Sequence, residues 1–262
     1  MKTTFTKPLE KSLRTGGEGF TLLDLLVVLG VIAVLIVLQL PVLAAGKSQT
    51  KIGICASHVR QLALACQIYA NDNHDRLPVL SGGAAWAWDL PVGAANGLLN
   101  SGVTTNIFYC PGTAPRFTDQ DNWIAFGSSS LWNFGGAAGF HVVGYALAFS
   151  GTASILNSTN QNTTLLPEAI KIGSTLVPAP AASERVLVAD ATLSQGATLP
   201  GYAHPENNYT SIPGGFYKPH VSPHLKGNVP AGGNLGFKDG HVAWRKFELM
   251  SPRTTSGSVF WW

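Results

Sequence analysis

The sequence predicts an α+β protein in which a long N-terminal helix, apolar in its first half and amphipathic in its second, packs on a C-terminal antiparallel-sheet domain with long loops. Three observations predict it. Every residue from Leu25 to Leu38 is apolar or glycine, an unbroken run of helical length. Beyond it, Cys55, Val59, Leu62, Cys66 and Tyr69 recur at steps of four and three, the spacing of one buried helical stripe. After Pro78 the pattern changes to short β-branched or aromatic runs bounded by Gly, Pro and Asn, the signature of strands and turns.

Composition narrows the class. Charged residues make up 12% of the 262, about half the usual share of ~25%, whereas the apolar content of 45% is ordinary. Such a chain folds, with a surface made polar by amides and hydroxyls, which suits an extracytoplasmic protein. The net charge is +3. Lys2, Lys7, Lys11 and Arg14 against Glu10 and Glu18 place most of it before Phe20. The remainder is nearly neutral and has no Lys/Arg run, which argues against a nucleic-acid footprint. The basic leader instead reads as a topology signal retained in the cytoplasm.

Phe20 to Leu40 adds only Thr21, Asp24 and Gln39 to its apolar residues. At ~1.5 Å per residue this length crosses a bilayer core of ~30 Å. A cleaved secretory signal with Val42–Gly46 as its small-residue site is the alternative, but the run is longer than the usual h-region and Asp24 would be an unexplained cost inside it. The helical stripe continues past Gly46 until the segment Asn71–Asp75 and Pro78 stop it, so a helix extends to about Asn73 and is open to interruption at Pro41. The divisions are a leader (1–19), a transmembrane helix (20–41), its amphipathic continuation (42–75) and an α+β domain (76–262).

The segment from Gly19 to Leu35, GFTLLDLLVVLGVIAVL, resembles the prepilin-type cleavage and methylation segment of type IV pilins and type II secretion pseudopilins. The resemblance implies cleavage after Gly19 by a prepilin peptidase and N-methylation of Phe20. The fifth mature residue in that family is usually Glu, and here it is Asp24. A lone carboxylate in hydrocarbon is costly unless partnered, and the new α-amino group of Phe20 is a cation at the membrane edge. When identical helices assemble, Asp24 of one chain can meet the amine of its neighbour and set their stagger. Further on, CASHVRQLALACQIYANDNHDRLP (from Cys55), FYCPG (from Phe108), ERVLVAD (from Glu184) and GGNLGFKDGHVAW (from Gly232) resemble a pseudopilin-like group with a C-terminal His-x9-Asp-Gly element. His224 precedes Asp239 by fourteen intervening residues rather than nine. The domains of that group have no assigned chemistry.

Strands are expected at Asn106–Cys110, Val142–Phe149, Arg185–Ala189, Leu235–Lys238 and His241–Phe247, with Asp239-Gly240 forming a two-residue hairpin turn. Ser81–Thr105, Gly127–Gly139, Asn157–Thr164 and Leu193–Lys226 read as loops. Cys55 and Cys66 lie eleven residues apart on one helix, about 16 Å along its axis, and cannot pair with each other. A Cys55–Cys110 disulfide is the preferred pairing in an oxidising compartment, Cys66–Cys110 the second, and three buried thiols the bland alternative.

The histidines His204, His220, His224 and His241 with Asp239 invite a metal reading, His224, Asp239 and His241 being the candidates and calcium near Asp239 the form considered. Pro223 keeps His220 and His224 off a regular helix. No HExxH, CxxC or Gly-x-Ser-x-Gly pattern is present, so no catalytic residue is assigned. Trp86, Trp88, Trp123, Trp132 and the terminal Val259–Trp262 run raise a carbohydrate-binding surface, which ring exposure decides. The expectation is a non-enzymatic pilin-like subunit, without a required cofactor, anchored in a bacterial inner membrane with its domain outside the cytoplasm. Its expected partners are the prepilin peptidase, other pilin or pseudopilin subunits and their assembly platform. The alternative is a tethered carbohydrate- or metal-binding module that does not polymerise.

Overall fold

The computed structural model describes residues 19–80, 86–114, 117, 132, 139–151, 158–195, 207–213, 219–254 and 258–262, with only the backbone given at 40–45. The chain divides into two units, Met1–Gly46 and Lys47–Trp262.

Helix α1 covers Leu22–Asp72. Thr21 stands at its N-cap. The Asp24 carboxylate accepts from the Thr21 backbone N–H at 3.0 Å and from its hydroxyl at 2.7 Å, while the Asp24 N–H donates back to Thr21 Oγ1 at 3.2 Å. This reciprocal pattern is a capping box, which satisfies otherwise orphaned donors of the first turn. The interruption considered at Pro41 does not occur, since helical geometry continues through it. Proline there removes one intrahelical donor. Leu22–Gln39 is the one segment among the described residues that is a helix long and apolar enough to cross a membrane, and none of it is buried.

In the second unit, α1 buries Cys55, Val59, Leu62, Cys66 and Ala70, and leaves Arg60 and Gln61 in solvent. The stripe read from the sequence is the buried face, with Tyr69 half-buried at its end. The helix stops where His74 and Asp75 take left-handed backbones (φ 57° and 61°). The Asp75 N–H then reaches back to the Ala70 carbonyl at 2.8 Å, closing the last turn.

The main sheet is antiparallel, in the order β11 (Val242–Lys246), β10 (Gly232–Phe237), β6 (Val186–Asp190), β3 (Tyr145–Leu147). Ala189 is the register point, opposite Leu235 on one side and Ala146 on the other. Both central strands are buried along their whole length. Helix α1 lies close against β10 because Gly236 has no side chain. A Cβ there would sit 2.8 Å from Val59 Cγ1 and 3.4 Å from Ala63 Cβ. Two side-chain bonds pin this contact: Asn234 Nδ2 to the Ile52 carbonyl at 3.2 Å, and Gln67 Nε2 to the Lys238 carbonyl at 3.0 Å.

Several expectations need correction. Asn106–Cys110 is not a strand; Thr105–Phe108 and Pro111–Thr113 are 3₁₀ turns. The short apolar run Ile107–Cys110 reads alike as strand or buried turn, and periodicity cannot separate them. Val142–Phe149 is divided at Gly144 between β2 (Phe140–Val142), which pairs with β1 (Asp89–Pro91), and β3 of the main sheet. A Cβ on Gly144 would lie 3.0 Å from the Cys110 nitrogen, so the chain turns there under a crossing backbone. The Ser81–Thr105 loop contains β1 and helix α2 (Val92–Asn100). The hairpin β4 (Ile170–Ile172) with β5 (Thr175–Val177) had no counterpart in the reading. Leu193–Lys226 holds β7 (Leu193–Ser194), paired with β12 (Val259–Phe260), and β8 (Leu225–Lys226), paired with β9 (Val229–Pro230). The β10–β11 turn has three residues, Lys238–Gly240, between its closing pair rather than two. Phe237 and His241 close it, and Gly240 supplies its only positive φ, 88°. The loop expected at Gly127–Gly139 lies outside the described residues apart from Trp132 and Gly139, and so do Trp123 and His204.

Candidate functional site: a buried Cys-Cys-Asp-His cluster

Four elements of the second unit each deliver one side chain to a common point. Cys55 comes from the buried stripe of α1. Cys110 stands at the N-cap of the 3₁₀ turn Pro111–Thr113. Asp190 ends β6, the inner strand of the sheet. His224 precedes β8 with a left-handed backbone, φ 52°, and its carbonyl accepts from the Ala231 N–H at 3.0 Å. The ligand atoms of all four lie within 4.8 Å of one another. None of the four residues is more than 6% exposed.

The contacts are close. Cys55 Sγ donates to Asp190 Oδ1 at 2.7 Å, and Cys110 Sγ lies 2.9 Å from Cys55 Sγ. His224 Nε2 is 3.3 Å from both Cys110 Sγ and Asp190 Oδ2. A second ring of groups orients these. The Asn234 N–H and Nδ2 donate to Asp190 Oδ2 at 2.6 and 3.3 Å, the Gly112 N–H donates to Cys110 Sγ at 3.3 Å, and Tyr145 Oη is 3.3 Å from Cys55 Sγ. Gly112 leaves room for the imidazole, because a Cβ there would meet its Nδ1 and Cε1 at 2.7 Å.

Burial pushes the Cys55 thiol well up, and its contacts with Cys110 and the Asp190 charge push in the same direction. Burial also raises the Cys110 thiol. For His224, burial acts to lower the imidazole, but its bond to Asp190 and the neighbouring charges overcome that and push it up to about 10. Burial thus favours the thiol form of Cys55 and Cys110, while the bond to Asp190 favours a protonated His224.

The sequence candidates are distributed differently from their expected grouping. His224 is in the cluster, whereas Asp239 and His241 sit together on the exposed β10–β11 turn. There Asp239 Oδ1 accepts from the His241 N–H at 3.1 Å and lies 2.6 Å from its Nδ1. Those bonds account for the Asp239 carboxylate within the turn, and one carboxylate with one imidazole falls short of the six to eight oxygens calcium prefers. Cys55 and Cys110, the preferred disulfide pair, are brought together with their sulfurs 2.9 Å apart and stand here as free thiols, and Cys66 is a separate buried thiol. His220 is enclosed between the rings of Trp88 (4.7 Å) and Phe117 (4.1 Å). Trp88, Trp132, Trp261 and Trp262 are buried, and Trp86 stacks on Trp88 at 5.3 Å, so these rings form core rather than a sugar platform. Gly19 and Phe20 are exposed just before α1.

Asp190 and the pairing of both cysteines with His224 were missed. The signal was weak: the residues are separated by 55, 80 and 34 positions in the chain and match no short ligand spacing. No protein-family model matches the chain, and no curated protein and no solved structure matches it.

Proposed function

We propose that this chain is a non-enzymatic, membrane-anchored subunit of the type IV pilin or type II secretion pseudopilin kind. It is cut after Gly19, N-methylated on Phe20 and built into a filament through its N-terminal helix. The observation that carries the reading is the apolar segment Leu22–Gln39, none of it buried, headed by Gly19, Phe20 and Asp24. Eighteen such residues exposed to water would be prohibitively unfavourable, so the segment needs lipid or copies of itself as its surroundings. In this reading the chain waits in a bacterial inner membrane, leader inside and sheet domain outside the cytoplasm. Its partners are the prepilin peptidase, sister subunits and the assembly platform. The thiol–imidazole cluster of the domain is buried, with none of its residues more than 6% exposed, which supports a structural role over an enzymatic one.

Mass spectrometry of the mature N-terminus tests processing: N-methyl-Phe20 is expected, and a start at Gly46 or retention of Met1 in cells with active peptidase overturns the proposal. Asp24 tests assembly, and its capping bonds determine the choice of variants. Asp24→Glu keeps both charge and cap and is expected to assemble. Asp24→Asn keeps a side-chain oxygen for the cap and loses the charge. It is expected to insert in the membrane yet fail to co-purify with filament subunits. Asp24→Ala loses both, and the unpartnered amine of the neighbour costs ~3 kcal/mol or more. Recovery of Asp24→Asn equal to wild type would mean that the carboxylate serves the helix cap alone.

A further inference from the structure

We propose that Cys55, Cys110, Asp190 and His224 form a structural zinc site that clamps the two crossing segments around Cys110 and His224 to α1 and the main sheet. This site is independent of filament assembly. Four chemically suitable donors converge on one point from four elements that are distant in the chain, and all four are buried. Two sulfurs, one imidazole nitrogen and one carboxylate oxygen make a borderline-soft set suited to Zn²⁺ and poorly suited to Ca²⁺ or Mg²⁺.

The geometry fits a tetrahedral ion. With zinc bonds of ~2.0–2.3 Å, neighbouring donors in a tetrahedral shell stand about 3.3–3.8 Å apart. The contact of His224 Nε2 with Cys110 Sγ is already 3.3 Å. The contacts of Cys55 Sγ, 2.7 and 2.9 Å, are shorter, so Cys55 Sγ moves outward by ~1 Å to admit the ion. The outer groups are those a metal centre uses to aim its ligands. Asn234 holds Asp190 Oδ2 and leaves Oδ1 for the ion, and the Gly112 N–H meets the Cys110 sulfur as it would a thiolate. Gly112 also keeps clear the space the imidazole occupies. Protons on the donor atoms leave to solvent when zinc binds. None of the four donor residues is more than 6% exposed, which suits a closed structural site with four protein ligands.

Oxidation of Cys55 and Cys110 to a disulfide would remove two ligands, so zinc and disulfide exclude each other. The test uses the full chain in detergent, reduced, stripped with a chelator and then given Zn²⁺ alone. One zinc per chain by elemental analysis is expected, with a rise in the thermal midpoint that the chelator reverses. Co²⁺ in place of zinc is expected to give the intense visible bands of a tetrahedral ion and a thiolate-to-metal band in the ultraviolet. Cys110→Ser and Asp190→Asn are expected to weaken binding by more than the roughly 10–100-fold typical of an outer-sphere partner. Tyr145→Phe should weaken it by roughly tenfold, and Cys66→Ser, buried outside the cluster, should not change it. Circular dichroism of each variant without metal separates lost binding from lost folding, and the wild-type cobalt spectrum stands without any variant. A reduced wild-type chain that takes up no zinc, an octahedral cobalt spectrum, or equal binding by a folded Cys110→Ser overturns the site. A chain isolated with the disulfide that still takes up no zinc after reduction does so as well.

Discussion

Helix α1 has two halves with the same backbone and opposite relations to their surroundings. Apart from Asp24 and Gln39, Leu22–Gln39 is apolar on every side, and it is buried nowhere. From Lys51 to Asp72 the stripe of Cys55, Val59, Leu62, Cys66 and Ala70 is closed over by the sheet domain, while Ile54, Leu64 and Ile68 stay exposed. The difference teaches where each half finds its hydrophobic stabilisation. The second half finds it within its own chain, as Val59 does against Gly236. The first half has no such partner among the described residues of its own unit.

The comparison breaks most sharply under paired truncations. Leu62→Ala, in the buried stripe, is expected to cost the domain about 2–5 kcal/mol in denaturant unfolding, the usual range for a leucine whose cavity cannot fully collapse. Leu29→Ala, in the exposed run, is expected to leave that unfolding unchanged. A shift in domain stability from Leu29→Ala would mean that the first half is supported by the domain after all.

Acid sharpens the same contrast. Burial holds the His220 imidazole down at about 4, against 6.5 when free. The folded domain keeps it neutral while the unfolded chain takes up a proton, so this contribution is complete above pH 6.5 and is lost as pH falls toward 4. The expected loss is about 3 kcal/mol. His141, lowered to about 4 by its own burial, acts in the same direction. His220→Phe preserves the stack on Trp88 and Phe117 and should reduce the pH dependence between 6.5 and 4.5, leaving the share due to His141. The run Leu22–Gln39 contains no histidine, so membrane recovery of the chain should not follow that profile.

Smaller effects are expected where helix and sheet touch. Gly236→Ala forces the new methyl against the stiff Val59 side chain and should cost about 1–3 kcal/mol, the usual range for overpacking. Gly240→Ala places a side chain at φ 88° and should cost roughly 1 kcal/mol. Both are read by thermal unfolding of the domain, and no change for Gly236→Ala would show that the helix can move off β10.

The sequence by itself determined what periodicity and local chemistry encode. The apolar run, the buried stripe of α1, the stop near Asn73 and the strands near Arg185–Ala189 and His241–Phe247 follow from side-chain pattern, which depends only on neighbours within a few residues. The Thr21–Asp24 capping box was equally local and legible, although the carboxylate was read only as an assembly contact. Tertiary structure alone decided the rest. It divided Val142–Phe149 between two sheets because a backbone crosses at Gly144, and made Asn106–Cys110 a turn. It also drew His224 away from Asp239 and toward Cys55, Cys110 and Asp190. No spacing rule reaches across the 55 to 169 positions that separate Cys55 from those three partners. Their convergence depends on which strand lies beneath which face of the helix, and that is set by how the whole domain packs.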